Sequence, residues 1–342
     1  MSARPEKILA LQFKYLGDAV FITPALRALK ENQPDMELHV LVAAEVAPLL
    51  ENLPWLKKVW ALPRTRGRAR LLDSWPLIRA LRREHFDRAV DFGGNDRGAL
   101  LSFFSGAKIR LAAVDRKKLL QKICYTQTVS TASLPPAWVS RHLQLLAAWQ
   151  IPPPKSAHLE IVADPAHAEA AAEILADGTV LCHLGTSQLR KEWPVAQWRK
   201  FFQLARAAGL SLAFSAGNNE RERGLLAELK KLEPEIFALP PVGDLKLFLA
   251  VLQRARLVIA GDTGPLHFAA GLGVPVLGLF GTADSRLRSA PIYSAAQIVT
   301  GGDCFCDAKG LHAATCADAR PCMAAIPPEK VFAAMSHILG AR

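Results

Sequence analysis

The feature that most constrains this fold is an alternation of short apolar runs and amphipathic segments that stops at Ile151-Pro-Pro-Pro-Lys155 and then starts again. Three consecutive prolines cannot enter a helix interior or a central strand, because each lacks an N–H and has a fixed φ. They read as a stiff linker. Before them, strands are predicted at 7–13, 38–43, 59–62, 89–92 and 109–113, with helices at 23–32, near 46–51, at 72–84 and at 96–104. After them, strands are predicted at 158–162, 179–184, 210–215, 257–260 and 274–280. The helices of this half fall at 166–175, 198–207, 221–231, 244–253, 265–272 and 327–339. Strands that alternate with helices argue for parallel sheets covered on both faces.

A chain of 342 residues also exceeds the usual size of one core. The expected fold is therefore α/β, with two doubly wound Rossmann-like domains at 1–151 and 157–326. A linker at 152–156 joins them, and a last helical segment at 327–342 is free to pack back on the first domain. Ligands in such sheets bind beyond the carboxyl ends of the strands, so a cleft between the domains is the expected site.

No fixed-period repeat or low-complexity tract is present, which sets aside solenoids and disorder. The apolar-rich stretch at 8–13 is too short for a signal-peptide core or a membrane span, so a cytosolic protein is expected. Six cysteines in a chain of this size do not suggest a secreted disulfide scaffold.

The net charge of +11 is unevenly spread. Residues 1–150 hold 23 Lys and Arg against 13 Asp and Glu, whereas residues 151–342 hold 19 against 18. The excess gathers in Arg64-Thr-Arg-Gly-Arg-Ala-Arg70, in 79–83 and in Arg116-Lys-Lys118. It is either a solvated basic face or the mark of an anionic partner, a membrane surface or an acidic lipid-linked substrate. Nucleic acid is disfavoured, since no aromatic stacking pattern or binding motif accompanies the charge.

Three loops carry chemistry. Lys14-Tyr-Leu-Gly-Asp18 follows the first strand, and its Asp18 is either a general base for an acceptor hydroxyl or a helix cap. Gly185-Thr-Ser-Gln-Leu-Arg-Lys191-Glu-Trp-Pro194 is rich in hydroxyls at Thr186 and Ser187 and ends in paired cations. Lys191 either neutralises a departing diphosphate or is simply solvated. No P-loop motif is present. The third loop is Gly261-Asp-Thr-Gly-Pro265, between a buried strand and a small-residue helix that includes His267. Proline at a first helical position, free N–H groups and the helix dipole together make an anion site. Thr263 can add a hydroxyl donor, and Asp262 can accept sugar hydroxyls or fix the loop. The competing explanation is a tight turn with a capping Asp262 and a packed His267. Phe280-Gly-Thr-Ala-Asp284 is a second small-residue loop on the same edge.

Taken together, Leu16-Gly-Asp-Ala-Val20, Thr23-Pro-Ala-Leu-Arg-Ala-Leu29, Lys191-Glu-Trp-Pro194, Asp262-Thr-Gly-Pro-Leu-His-Phe-Ala-Ala270 and Gly273-Val-Pro-Val-Leu-Gly-Leu-Phe-Gly281 resemble glycosyltransferase family 9, the heptosyltransferases that build lipopolysaccharide. The resemblance runs in order over nearly the whole chain. It implies a GT-B fold and metal-independent inverting transfer, with acceptor on the first domain and nucleotide-sugar donor on the second. By motif match, Asp18 falls on the proposed general base and Lys191 on the donor-phosphate lysine. Asp262, Thr263, Gly264 and His267 fall on the donor loop, joined by Thr186 and Ser187. The resemblance also implies Glu220, with Glu222 close behind, as the ribose-binding acid, and an adenine pocket around 241–245. Lys14, Arg64 and Arg66 are the cations expected to meet the acceptor.

The implied partners are a nucleotide-diphospho-sugar, probed first as ADP-heptose, and an anionic lipid-linked or core oligosaccharide at the inner face of the membrane. No cofactor is implied. The sequence departs from the family where Lys14-Tyr15 replaces a small residue after the first strand. Its other departure is Cys304, Cys306, Cys316 and Cys322, a set able to surround zinc but at a spacing that matches no familiar ribbon, so reduced thiols or a disulfide are expected. A GT-B epimerase or hydrolase acting on the donor alone, and an inactive carbohydrate-binding relative, are the alternatives.

Overall fold

The computed structural model describes residues 4–13, 16–63, 74–115, 118–281, 283–291, 295–302 and 320–340. The chain divides into two compact units, Met1–Val162 and Ala163–Arg342. Each is built on one six-stranded sheet in which every pairing is parallel.

The first sheet comprises β1 (Lys7–Gln12), β2 (Glu37–Ala43), β3 (Lys58–Leu62), β4 (Arg88–Asp91), β5 (Ile109–Ala113) and β6 (Gln127–Val129). Its order is β3-β2-β1-β4-β5-β6. The second comprises β7 (Val180–His183), β8 (Leu212–Ser215), β9 (Phe237–Ala238), β10 (Leu257–Gly261), β11 (Val276–Leu279) and β12 (Ala296–Val299), in the order β12-β11-β10-β7-β8-β9. Counted from its own first strand, each sheet reads 3-2-1-4-5-6. The order reverses beside β1 and β4 in one unit and beside β7 and β10 in the other, and the loops leaving such a pair diverge to open a ligand crevice.

The sequences of the central strands fit this placement. Ile8 to Leu11 and Leu257 to Ala260 have no exposed surface. These are continuous apolar runs, as a strand covered on both faces requires, and alternation would leave polar residues against a helix layer. One cover of the second sheet is α8 (Val195–Ala207), which presents Trp198, Phe201, Phe202 and Ala205 at helical spacing to Phe214 and the rest of that core. The terminal helix Pro328–Gly340 lies against α8 and β12 and buries Val331 and Met335 in the same core.

Several elements differ from the sequence expectation. The loop expected to hold Asp18 is largely a short helix, α1 (Leu16–Phe21), directly followed by α2 (Thr23–Asn32). The edge strands β6, β9 and β12 were not expected, because runs of two to four residues carry too little periodicity to be seen. The expected strand at 158–162 does not form. That stretch is instead held by side chains of the first unit. Arg27 donates to both oxygens of Glu160 at 2.6 Å, Trp55 Nε1 donates to Glu160 at 3.0 Å, and the Glu160 amide donates to Thr23 Oγ1 at 3.0 Å. Asn52 holds the Val162 carbonyl at 3.3 Å, and Glu31 accepts from the Lys155 amide at 3.0 Å. Once these groups satisfy the backbone and the carboxylate, a ladder has no advantage. Glu160→Ala is therefore expected to speed amide exchange across 158–162 by about tenfold, the equivalent of roughly 1.4 kcal/mol of lost charge-assisted bonding. Hydrogen-exchange mass spectrometry of that peptide measures it.

Candidate functional site

The switch point of the second unit is built by two loops. One leaves β7 and reaches α8; the other leaves β10 and enters α11 (Gly264–Gly271). The β7 loop is stiff. Thr186 Oγ1 donates to the Gln188 carbonyl at 2.7 Å, and a single 3₁₀ turn, Leu189–Lys191, closes with the Lys191 amide on that same carbonyl at 2.9 Å. Beyond it, Trp193 is buried edge-on to Trp198 and donates to the Ile326 carbonyl at 3.1 Å. The turn is thus anchored on both sides, which fixes where Lys191 starts.

Lys191 Nζ lies 2.5 Å from Asp262 Oδ2. His267, in the first turns of α11, places Nε2 3.3 Å from Asp262 Oδ1. A carboxylate can only accept, so Nε2 carries the proton in this bond. Asp262 is buried, at 6 % exposure. Burial pushes its carboxyl pKa up, but His267 and then Lys191 outweigh this and hold it well below the usual carboxylate range. Asp262 is therefore ionised at any physiological pH.

Gly261 is required for this geometry. A Cβ there would stand 2.8 Å from the Lys191 carbonyl and 3.1 Å from Thr186 Cγ2, so only glycine lets the two loops touch. A shallow recess beside the pair is lined by Arg190, Lys191, Asp262, Phe280, Gly281 and Met323.

The N-cap of α11 is Thr263, in extended conformation, and no side chain caps the helix. Asp262 accepts from Lys191 and His267. With Pro265 lacking a donor, the N–H groups of Gly264 and Leu266 belong to the turn whose donors no intrahelical partner can satisfy. Among the described residues this is a cation, an imidazole and a helix N-terminus converging on one loop, the chemistry that holds a diphosphate.

The remaining expected residues fall as follows. Ser187 is exposed on the β7 loop. Glu220 is exposed at the start of α9 (Glu220–Leu232), on a different loop. Its neighbour Glu222 is buried and committed: it accepts from the Gly217 amide at 3.0 Å and from Asn219 Nδ2 at 2.7 Å. A Cβ on Gly185 or Gly217 would collide with that carboxylate at 2.0 or 2.1 Å. Glu222 is thus closely wrapped by the glycines of the β7 and β8 loops. In the first unit, Asp18 is the third residue of α1, half-buried and inside the first turn rather than at its cap. Lys14, Arg64, Arg66, Cys304, Cys306 and Cys316 lie outside the described residues, and Cys322 is half-buried.

Sequence reasoning missed Arg221. Its guanidinium donates to the Thr186 carbonyl at 2.5 Å and pairs with Glu192 and Glu222. It thereby grips the Lys191 loop at both ends. Asn219-x-x-Glu222, a capping-box pattern, was the readable signal that this turn is structured. His183 was also missed. It ends β7 with Nδ1 2.9 Å from Ser215 Oγ, beside Phe248.

The family model described as glycosyltransferase family 9 (heptosyltransferase) matches residues 74–309. The chain belongs to glycosyltransferase family 9. Lipopolysaccharide heptosyltransferase 1 of Pseudomonas aeruginosa is 29 % identical over 319 residues, covering 88 % of this chain and 85 % of that protein. Lipopolysaccharide heptosyltransferase 3 of Escherichia coli is 21 % identical over 287 residues, covering 79 % and 82 %. Among solved structures, a family 9 glycosyltransferase from Veillonella parvula superposes with a TM-score of 0.83 at 17 % identity, covering 100 % of this chain and 99 % of that one. The E. coli heptosyltransferase WaaC with ADP-2-deoxy-2-fluoro heptose superposes with a TM-score of 0.71 at 17 % identity, covering 97 % and 99 %. The two doubly wound units are the GT-B architecture of this family 9 fold, and the chain is a glycosyltransferase.

In this family 9 chain, burial drives the pKa of His183 down to about 4. The sign of the effect on stability follows. Between about 6.5 and 4 the unfolded chain binds a proton on this residue that the native chain refuses. The contribution is complete above pH 6.5 and is lost as pH falls toward 4. Urea unfolding followed by tryptophan fluorescence is expected to show the wild type losing roughly 2–3 kcal/mol more than His183→Gln between pH 7 and 4.5.

Proposed function

We propose that this glycosyltransferase moves a sugar, with inversion, from a nucleotide-diphospho-sugar to an anionic lipid-linked or core oligosaccharide. ADP-heptose is the donor and a lipopolysaccharide core the acceptor that its relatives' names suggest. The observation that carries the reading is the Lys191–Asp262–His267 cluster at the N-terminus of α11. It places the Lys191 ammonium and the N-terminal end of α11 side by side, where a nucleoside diphosphate would depart.

In this reading the acceptor hydroxyl attacks the anomeric carbon as the bond from that carbon to the phosphate oxygen breaks. Asp18 takes the hydroxyl proton, and the bonding pair leaves with the diphosphate. Lys191 and the N–H groups of Gly264 and Leu266 stabilise the charge that builds on it. With those donors in that role, the proposal calls for no metal ion. Asp262 does not touch the phosphate; it sets the direction of Lys191 and His267. Thr186 and Thr263 line the donor loop, and exposed Ser187 and Glu220 are available to the nucleoside or sugar. A cytoplasmic enzyme peripheral to the inner membrane face fits the basic first half of the chain. No helix among the described residues is long and apolar enough to cross a membrane.

Two measurements test this. A thermal-shift panel of nucleotide-sugars and nucleoside diphosphates should show stabilisation by ADP-heptose and ADP, since a ligand confined to the native state raises its stability by mass action. A preference for UDP or GDP compounds would reassign the donor, and donor turnover without acceptor would favour an epimerase or hydrolase. Asp18→Asn should lower transfer by about 10²-fold or more while leaving the ADP shift intact. Transfer near the wild-type rate would remove Asp18 as the base.

A further inference from the structure

Leu119 and Ile123 are one helical turn apart on α5 (Leu119–Cys124), and they are 72 % and 56 % exposed. The other side of this helix is accounted for. Cys124 and the following Tyr125 are buried with Ala99, Ala112 and Val114, and Leu120 packs against them. Phe103, on α4 (Asp96–Phe104), is 40 % exposed. Arg110 links it to the end of α5, since its guanidinium lies 5.5 Å from the Phe103 ring and donates to the Cys124 carbonyl at 2.5 Å.

The sequence around these apolar residues is strongly basic. Residues 96–124 hold seven Lys and Arg against two Asp. Of the two acids, Asp115 is held by Ser130 and Thr131. Asp96 is paired with Lys118 at 2.9 Å, and Lys122 is exposed beside Ile123. A merely solvated basic face has no use for outward Leu and Ile. A protein interface would be depleted of lysine at its core. Outward aliphatic residues framed by lysines match the interface of an anionic bilayer, where apolar side chains enter the acyl boundary and ammonium groups meet phosphates. The place in the fold agrees: α5 follows the carboxyl end of β5, the edge on which doubly wound sheets bind their ligands.

We propose that the α5 face seats the first unit on an anionic lipid surface, with Leu119 and Ile123 inserting and Lys118 and Lys122 contacting lipid phosphates. This deepens the lipid-linked-acceptor reading and rests on it only for its purpose. The test uses the full chain and vesicles, with neither donor nor acceptor present. Cosedimentation at 0.1 M salt should show binding to phosphatidylglycerol-containing vesicles and little to pure phosphatidylcholine. The double variant L119S/I123S should weaken binding by about tenfold or more, and Lys118→Gln and Lys122→Gln by about fivefold each, with unchanged melting curves. The proposal is overturned if the wild type ignores anionic vesicles, or if L119S/I123S binds as the wild type does. It is equally overturned if this face proves to join two copies, seen as a dimer in sedimentation that L119S/I123S abolishes. None of these results touches the transferase reading, which fails only in the transfer assay.

Discussion

Asp262 carries a full negative charge with almost no water around it, and the second unit is arranged to keep it that way. An unpaired buried carboxylate would cost several kcal/mol, and removing one partner of a buried pair typically costs about 3–5 kcal/mol. Lys191 and His267 meet that demand from two different elements. Their positions in turn require Gly261, whose missing side chain admits the Lys191 carbonyl, and Trp193, whose burial fixes the end of the turn. Arg221 ties the same turn to the β8 loop through Thr186 and Glu192. The donor loop is thus held by a chain of contacts that begins with one carboxylate, and Lys191 cannot be changed without exposing Asp262 to the cost of its own charge.

The first unit has the same strand order but uses its switch point differently. Asp91, at the end of β4, has no exposed surface. Tyr125 donates to it at 2.5 Å, and the amides of Gly93 and Gly94 donate at 2.8 and 3.1 Å. Burial and the charge of Asp91 push the Tyr125 phenol up, so it remains a donor throughout. A Cβ on Gly98 would fall 2.1 Å from the carboxylate, so the first turn of α4 closes directly over it. Asp91 is a brace that no substrate hydroxyl can reach. Asp18, half-buried in the first turn of α1, does have surface to offer. This contrast supports Asp18 over Asp91 in the role of base.

Much of this was readable from sequence where one local signal sufficed. The apolar runs of β1 and β10 announced central parallel strands, and Gly-Asp-Thr-Gly-Pro announced the loop at the start of α11. What stayed hidden depended on contacts between distant segments. The 158–162 stretch has a strand-like pattern, yet its fate was set by Arg27, Trp55 and Thr23, more than a hundred residues away. Glu222 was readable as an acid after a turn, but its close packing comes from two glycines on separate loops that close around it. His183 carried no motif because its significance is burial beside Ser215, which only the sheet register supplies.

The pairing of Lys191 with Asp262 also shapes what the site can contribute to transfer. Together the two side chains are neutral, so the pair adds little to the long-range attraction of a dianionic donor. That attraction must come from the N-terminus of α11 and from Arg190, which lines the same recess. In the proposed transfer Lys191 would contribute most as charge moves onto the leaving phosphate, because its ammonium has three donors and Asp262 occupies one direction. In that reading the His267 bond would keep Asp262 partnered when Lys191 turns to the phosphate. Such an arrangement binds the ground state modestly and the departing diphosphate more strongly, which is the differential that accelerates a reaction.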